Sequence, residues 1–488
     1  MDKIEVYKKD EVFVKIECEK GTARELSDFF EFEVPGAKFM PSVRNKYWDG
    51  KIRLFNVNTR QIYAGLIEHL KRFAEEREYE IVIHDGLQDT NDVPINALEK
   101  FLTEKEFTPR DYQTRAVAHA IRNNRALILS PTASGKSFII YSLIKYYLTR
   151  KLAKRALIIV PTTSLVSQMN SDFSLYHGGH IDYTHLIMAG QAKNNDSAKV
   201  FISTWQSIYK MPKAYFDQFD LIIGDEAHLF KANSLTKIME KLPNCKYRFG
   251  FTGTLDGTLT NKLVLEGLFG PVMRVIQTKE LIEKGTLADF RIKCLVLKYS
   301  PEICKEYHKA KYQDEINFLI GNERRNNFIK NLAISRSGNT LILFQMVDKH
   351  GKILYNKIKE EVGNERQVFF VHGGVDADQR EEVRRITEGE RSAIIVASYG
   401  TFSTGVNIRN LHNIIFASPS KSRVRNLQSI GRGLRKSESK EKATLYDIAD
   451  DFCHKSSCNH TLKHFAVRVK MYNEEEFEYK IYNIKLCQ

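Results

Sequence analysis

The sequence lacks any run of about 18 apolar residues, the length a membrane span needs, so none of its 488 residues predicts a membrane helix. Its first residues, MDKIEVYKKDEVFVKIE, interleave charge with apolar side chains and offer no apolar core for a signal peptide. Cysteine is scarce. The seven present are odd in number and irregularly spaced, which excludes a disulfide framework and fits free thiols in a reducing, cytoplasmic setting. Cys453, His454, Cys458 and His460 include only one cysteine pair, at the wrong spacing for a zinc finger, so no structural metal is expected. Short-period repeats and low-complexity tracts are also missing.

What is present describes a globular chain with a basic surface. Apolar residues make up 42% and charged residues 27%, too apolar for a largely disordered protein. Lys and Arg number 74 against 60 Asp and Glu, and the resulting formal charge of +14 fits a polyanionic partner. Residues 1–95 mix short alternating stretches with one helical stretch near 62–78 and read as a small α+β domain, followed by the turn-rich QDTNDVP. From about 110, apolar β-rich runs alternate with helical stretches: ALILS, ALIIVP, VFIST, LIIGD and RFGFTGT, then TLILF, QVFFV, AIIVAS, NIIFAS and ATLYDIA. Continuous apolar strands between helices predict parallel sheets covered on both faces. Two such series predict an α/β fold with two tandem sheet domains, at 96–285 and 286–452. Residues 453–488 read as a C-terminal extension made of a helix and a strand.

The chemistry begins at Ser130-Pro-Thr-Ala-Ser-Gly-Lys-Ser137, which follows a strand and opens a helix. That context suits a phosphate-binding loop. Backbone N–H groups of Thr132, Ala133, Ser134 and Gly135 can cradle phosphate, Lys136 can reach the β/γ oxygens, and Ser137 can ligate Mg²⁺. Ser130 stands where such loops usually carry their first glycine. Asp225-Glu226-Ala227-His228 closes another strand; Asp225 can hold the metal and Glu226 can polarise the attacking water. A lone acidic pair would more often be a solvated strand end, but not beside a phosphate loop.

These motifs resemble superfamily 2 nucleic-acid helicases, with two RecA-like domains. The resemblance implies ATP and Mg²⁺ as cofactors and further roles in the family's order. Arg110 and Gln113 in PRDYQ resemble an adenine-reading segment. Thr162 and Ser164 in VPTTSLVSQ, and Thr204 and Gln206 in STWQS, resemble segments that contact the nucleic-acid backbone. Thr252-Gly253-Thr254 resembles the coupling motif. In SYGTFSTGVN, Thr401 and Thr404 are candidate phosphate contacts, and Gly405 and Asn407 are candidate nucleotide contacts. QSIGRGLR supplies Gln428, Arg432 and Arg435. The two arginines, three apart, are expected on one helical face, with Arg435 as the arginine finger. His228 completes the catalytic set.

Residues 38–54, KFMPSVRNKYWDGKIRL from Lys38, interleave basic and aromatic residues, and Trp48 with Lys51 is the candidate for stacking on a base and holding phosphate. The alternative is a core tryptophan beside a solvated basic face. This arrangement, with the motor motifs and the LKH of the tail, resembles the phage branch-migration helicases of the UvsW type. That implies a DNA helicase acting on forks and four-way junctions, with no membrane association. An RNA helicase, the motor of a restriction-type nuclease and a binding module with an inactive nucleotide site stay open as rivals. If the excess positive charge faces duplex DNA, log affinity falls against log salt by about 0.9 per phosphate contacted. A salt titration of binding checks this, and a flat profile would place the charge elsewhere.

Overall fold

The computed structural model describes residues 2–34, 36–84, 86–87, 92–104, 106–405, 408, 410–436 and 440–486. The chain divides into two compact units, Met1–Ile276 and Gln277–Gln488. Among the described residues no helix is long and apolar enough to cross a membrane.

The first unit opens with strands β1 (Lys3–Lys8), β2 (Phe13–Glu17), β3 (Glu31–Glu33), β4 (Lys51–Arg53), β5 (Gln61–Tyr63) and β6 (Glu80–Ile83). Four form a mixed sheet in the order β5-β2-β1-β6, while β3 and β4 make a separate antiparallel ribbon. Ile4 and Val6 of β1 and Val14 and Ile16 of β2 are buried in alternation with exposed residues, as in a sheet covered on one face. Helices Lys20–Phe29 and Ile67–Glu76 supply Leu26, Leu70 and Phe73 to the same core.

The second sheet of this unit contains β7 (Arg125–Leu129), β8 (Ala156–Val160), β9 (Thr184–Ile187), β10 (Val200–Thr204), β11 (Leu221–Asp225), β12 (Tyr247–Thr252) and β13 (Val272–Arg274). All its pairings are parallel, in the order β13-β7-β12-β11-β8-β10-β9. Every residue of β8, β10, β11 and β12 is buried, which explains their unbroken apolar runs. Because β7, β12 and β11 are neighbours, the loops leaving their carboxyl ends emerge side by side. In open parallel sheets that edge is where ligands bind.

The second unit repeats the design with β14 (Asp289–Lys298), β15 (Thr340–Phe344), β16 (Val368–Val371), β17 (Ile394–Ser398), β18 (Asn413–Phe416), β19 (Lys442–Asp451) and β20 (Tyr479–Lys485). They form one parallel sheet in the order β16-β17-β15-β18-β19-β14-β20. The tail is therefore part of this sheet and no appendage: β20 pairs with β14 from Ile292↔Tyr479 to Lys298↔Lys485. Its helix, His460–Glu474, is anchored by the buried Arg468, whose Nε donates to both Asp447 oxygens at 3.0 and 2.9 Å, while Tyr472 Oη donates to Oδ2 at 2.8 Å. A second buried pair joins Arg325 to Asp450, with Nε to Oδ1 at 2.8 Å and Nη2 to Oδ2 at 3.0 Å. Removing one partner of such a pair would strand an uncompensated charge. The compact units divide at 276/277, where Gln277 caps the helix Thr278–Glu283; the boundary read from sequence is 285/286.

The small N-terminal sheet is not a loosely tethered module. Its core residues and those of the adjoining parallel sheet belong to one continuous cluster. Tyr63 Oη donates to Glu240 Oε1 at 2.7 Å, and His69 Nε2 lies 2.9 Å from Glu266 Oε2. Gly65 makes the approach possible, since any Cβ there would strike the carbonyl oxygens of Glu266 and Gly267. Gly65→Ala is accordingly expected to destabilise the first unit by roughly 1–3 kcal/mol, as overpacking does. Thermal unfolding should show a lowered midpoint, and an unchanged one would mean that the two sheets part without consequence.

Candidate nucleotide and nucleic-acid site

The site grows from the ends of β7 and β11. After β7 the chain turns sharply, with Ser134 N and Oγ both donating to Pro131 O, at 3.1 and 2.7 Å. Ser130 Oγ lies 2.5 Å from Ser134 Oγ, and Ser130 N donates to Thr252 O at 2.9 Å. The unusual serine thus closes the loop through its hydroxyl and ties it to β12. Ala133 and Gly135 adopt left-handed backbone, φ 65° and 80°, and turns of this hand aim successive N–H groups into one concavity. A Cβ at Gly135 would collide with Gln113 Nε2. Thr132, Ala133, Gly135, Lys136 and Ser137 are partly exposed, whereas Ser134 is buried and can offer only its backbone.

Lys136, the first residue of the helix Lys136–Thr149, crosses to the end of β11. Its Nζ sits 2.6 Å from Asp225 Oδ1 and 2.8 Å from Glu226 Oε1. Burial alone would lower the Lys136 pKa, but the two carboxylates more than reverse this and hold it above its ordinary value. Burial likewise acts to raise the Glu226 carboxyl, yet Lys136 and then His228 hold it below the usual carboxylate range. Glu226 takes a left-handed backbone, φ 50°, and its N–H donates to Asp225 Oδ1 at 2.9 Å. Its Oε2 is buried, accepts no hydrogen bond among the described residues and lies 3.4 Å from His228 Nδ1. His228 Nδ1 is also 3.0 Å from Thr252 Oγ1 at the end of β12, joining the acidic loop to the Thr252–Thr254 segment.

Several other predicted residues take positions the sequence does not reveal. Gln113 is buried in the helix Asp111–Asn123; its Oε1 accepts from Arg110 N and its Nε2 donates to Ser134 O, both at 2.9 Å. It braces the phosphate loop, while Arg110 is exposed. Thr162 caps the helix Thr163–His177 and lies 3.0 Å from the exposed Ser164. Gln206 is exposed on the short helix Trp205–Ile208 that follows β10, but Thr204 is buried with its hydroxyl 2.9 Å from Ser207 Oγ.

In the second unit, Thr401 is buried with Oγ1 2.8 Å from Ser398 Oγ. Gly405 ends the helix Tyr399–Gly405, which also contains Thr404; Asn407 lies outside the described residues. The helix Arg423–Gly433 carries Gln428 and Arg432, the latter 5.7 Å over the Phe402 ring. Arg435 is not on its face. The helix stops at Gly433, where a Cβ would meet Ile414, and Arg435 pairs with Leu287 as an isolated bridge. Lys440 Nζ donates to the carbonyls of Gly433 and Arg435, and burial pulls that lysine down to about 7.

Trp48 is half-buried and donates its indole N–H to Lys51 O at 2.9 Å, while the Lys51 ammonium pairs with Glu31. The exposed aromatics of this hairpin are Phe39 and Tyr47, 74% and 86% exposed. Among the described residues no cluster of three or more His, Cys, Asp or Glu could hold a metal ion by itself.

Comparison with known proteins agrees with this architecture. Residues 3–84 match the family described as DNA helicase UvsW, N-terminal; residues 106–257 match Type III restriction enzyme, res subunit; and residues 323–437 match the helicase conserved C-terminal domain. The chain is 35% identical over 506 aligned residues to the ATP-dependent DNA helicase uvsW of Enterobacteria phage T4, covering 99% of this chain and all of that one. It is 24% identical to the DNA 3'-5' translocase XPB2 of Sulfurisphaera tokodaii, over 76% of this chain and 86% of the relative. The crystal structure of T4 UvsW aligns over the full length of both chains with a TM-score of 0.52 and 33% identity. A fragment of a putative HsdR subunit of a type I restriction enzyme from Vibrio vulnificus shares the fold at a TM-score of 0.60 and 18% identity, over 89% of this chain and 76% of that one. With identity of this order along its whole length, a matching N-terminal domain and the phosphate loop and acidic box in place, the chain belongs to the UvsW helicase family.

Proposed function

We propose that the chain is an ATP-dependent DNA helicase that acts on branched DNA, forks and four-way junctions, in the host-cell cytoplasm. The observation that carries the ATPase reading is the placement of the Lys136 ammonium between Asp225 and Glu226. The loop's left-handed turns and the unused buried oxygen of Glu226 fit a nucleoside triphosphate with its metal. With nucleotide bound, Lys136 would exchange its carboxylate partners for phosphate oxygens, and Ser137 and Asp225 are the residues that would hold Mg²⁺. The ion when bound neutralises charge developing on the transferred phosphoryl group. Glu226, released from Lys136, orients the attacking water and accepts its proton. Thr252, bonded to His228, links that event to the end of β12. The assignment of Gln428, Arg432 and Arg435 to hydrolysis rests on the family motif QSIGRGLR.

Contact with DNA is assigned to Thr162, Ser164 and Gln206, whose neutral donors suit backbone phosphates without reading bases. A second DNA contact is assigned to the ribbon β3–β4 and its neighbouring turn. There Tyr47 and Phe39 replace Trp48 as stacking groups, because they are the exposed rings; Lys38 Nζ lies 5.2 Å over the Phe39 ring. Base–aromatic stacking contributes about 1–3 kcal/mol per base.

Glu226→Gln is expected to bind ATP while lowering kcat by roughly 10²–10⁴-fold, the usual contribution of a general base. Lys136→Ala is expected to lose binding as well, and full turnover by either variant would refute the assignment. Phe39→Ala with Tyr47→Ala is expected to keep single-strand-stimulated hydrolysis and to unwind forks and four-way junctions several-fold more slowly. Equal unwinding rates for variant and wild type on forks, junctions and linear tailed duplexes would remove the hairpin from branch recognition.

A further inference from the structure

The hydroxyl that would ligate the metal already has a protein partner. Ser137 Oγ lies 2.8 Å from Tyr176 Oη, across 39 positions of sequence. Tyr176 is the penultimate residue of the 15-residue helix Thr163–His177. Its ring is held edge-on against Phe107 and Phe138, at 5.0 and 5.2 Å, and tilted against Tyr141 at 5.7 Å. Phe138 and Tyr141 belong to the phosphate-loop helix, and Phe107 lies three residues before Arg110. The ring therefore sits where three segments of the nucleotide site meet, and these contacts need only a phenyl ring. The hydroxyl adds something packing does not require, a directional bond to one chosen oxygen.

A serine hydroxyl has one proton and two acceptor positions. While Ser137 is bonded to Tyr176, part of that capacity is spent away from a metal. The far end of the same helix is Thr162 with the exposed Ser164, the segment assigned to the nucleic-acid backbone. An α-helix of this length spans about 22 Å as a stiff rod, so a shift at its first turn is felt at Tyr176.

We propose that Tyr176 is a positioning residue that latches Ser137 in the nucleotide-free protein, and that a DNA strand engaged at Thr162 and Ser164 releases the latch through the helix between them. Mg²⁺-dependent nucleotide affinity thereby responds to DNA. The inference rests on the reading of Ser137 as a metal ligand. Tyr176→Phe tests it, because the ring contacts stay and only the hydroxyl is lost.

The measurement is binding of a fluorescent methylanthraniloyl-ADP to the full chain, with MgCl₂ titrated from an EDTA baseline, with and without a single-stranded oligothymidine. In wild type, the oligonucleotide is expected to lower the Mg²⁺ concentration at half-saturation. In Tyr176→Phe that concentration should already be roughly 3–10-fold lower without DNA, the worth of one hydrogen bond, and should no longer respond to the oligonucleotide. Affinity in EDTA should be unchanged, which a merely structural role of the hydroxyl would not give. Variant titrations that superimpose on wild type overturn the latch, as does a higher Mg²⁺ requirement or an equal loss of affinity with and without the ion. Failure of the underlying site reading is separable, because Lys136→Ala would then bind the nucleotide as wild type does.

Discussion

One buried cation organises the first unit. Lys136 is taken largely out of water, and an ammonium in that position is costly unless countercharge lies within reach. Asp225 and Glu226 meet it from the end of β11, so the phosphate loop after β7 and the acidic loop after β11 are bound to each other through the chain's own charges. Order in the surrounding residues follows from that closure. Gln113 braces the loop from outside, Ser130 and Ser134 close it from within, and His228 passes the arrangement to Thr252 on the intervening strand β12. A triphosphate competes for the same lysine, and so must exchange its charge for one already satisfied.

The second unit uses the same logic for a different end. Arg325 with Asp450 and Arg468 with Asp447 are both buried, and both fasten flanking helices to β19. Asp447 lies inside the run ATLYDIA, in the middle of the strand, and Asp450 directly after it. Each guanidinium engages both oxygens of its carboxylate, which fixes direction as well as distance. His350, buried beside Asn326 and Ser418, is pulled down to about 3 by its burial and then by Arg325, so the imidazole stays neutral in that core.

Much of this was legible in the sequence for a plain physical reason. Strands covered on both faces carry unbroken apolar runs, and loops that hold phosphate need small residues beside a lysine, so β7, β8, β10, β11 and β12 and the Lys136, Asp225 and Glu226 positions stand out. The hidden features depend on neighbours distant in the chain. Gln113 has the hydrogen-bonding groups an adenine edge would use, but the carbonyl of Ser134 claims its amide. The three-residue spacing of Arg432 and Arg435 suggests one helical face, but the helix ends between them. Trp48 is the most conspicuous aromatic of its hairpin, yet it spends its N–H on Lys51 and leaves Tyr47 exposed. No local pattern in LYHGG marks Tyr176 as a partner of Ser137.

The place of β20 bears on how the protein comes into being. Its pairing partner β14 is the first strand of the second unit, with Ile292 opposite Tyr479. During synthesis β14 leaves the ribosome long before either of its neighbours, β19 and β20, exists, and until then both of its edges present unpaired N–H and C=O groups. Every strand of the first unit, by contrast, has its neighbours by residue 274. The phosphate loop and its acidic partner can thus be complete while the second sheet is still waiting for its edge, and that waiting strand is where a nascent chain is most exposed to mispairing with another copy.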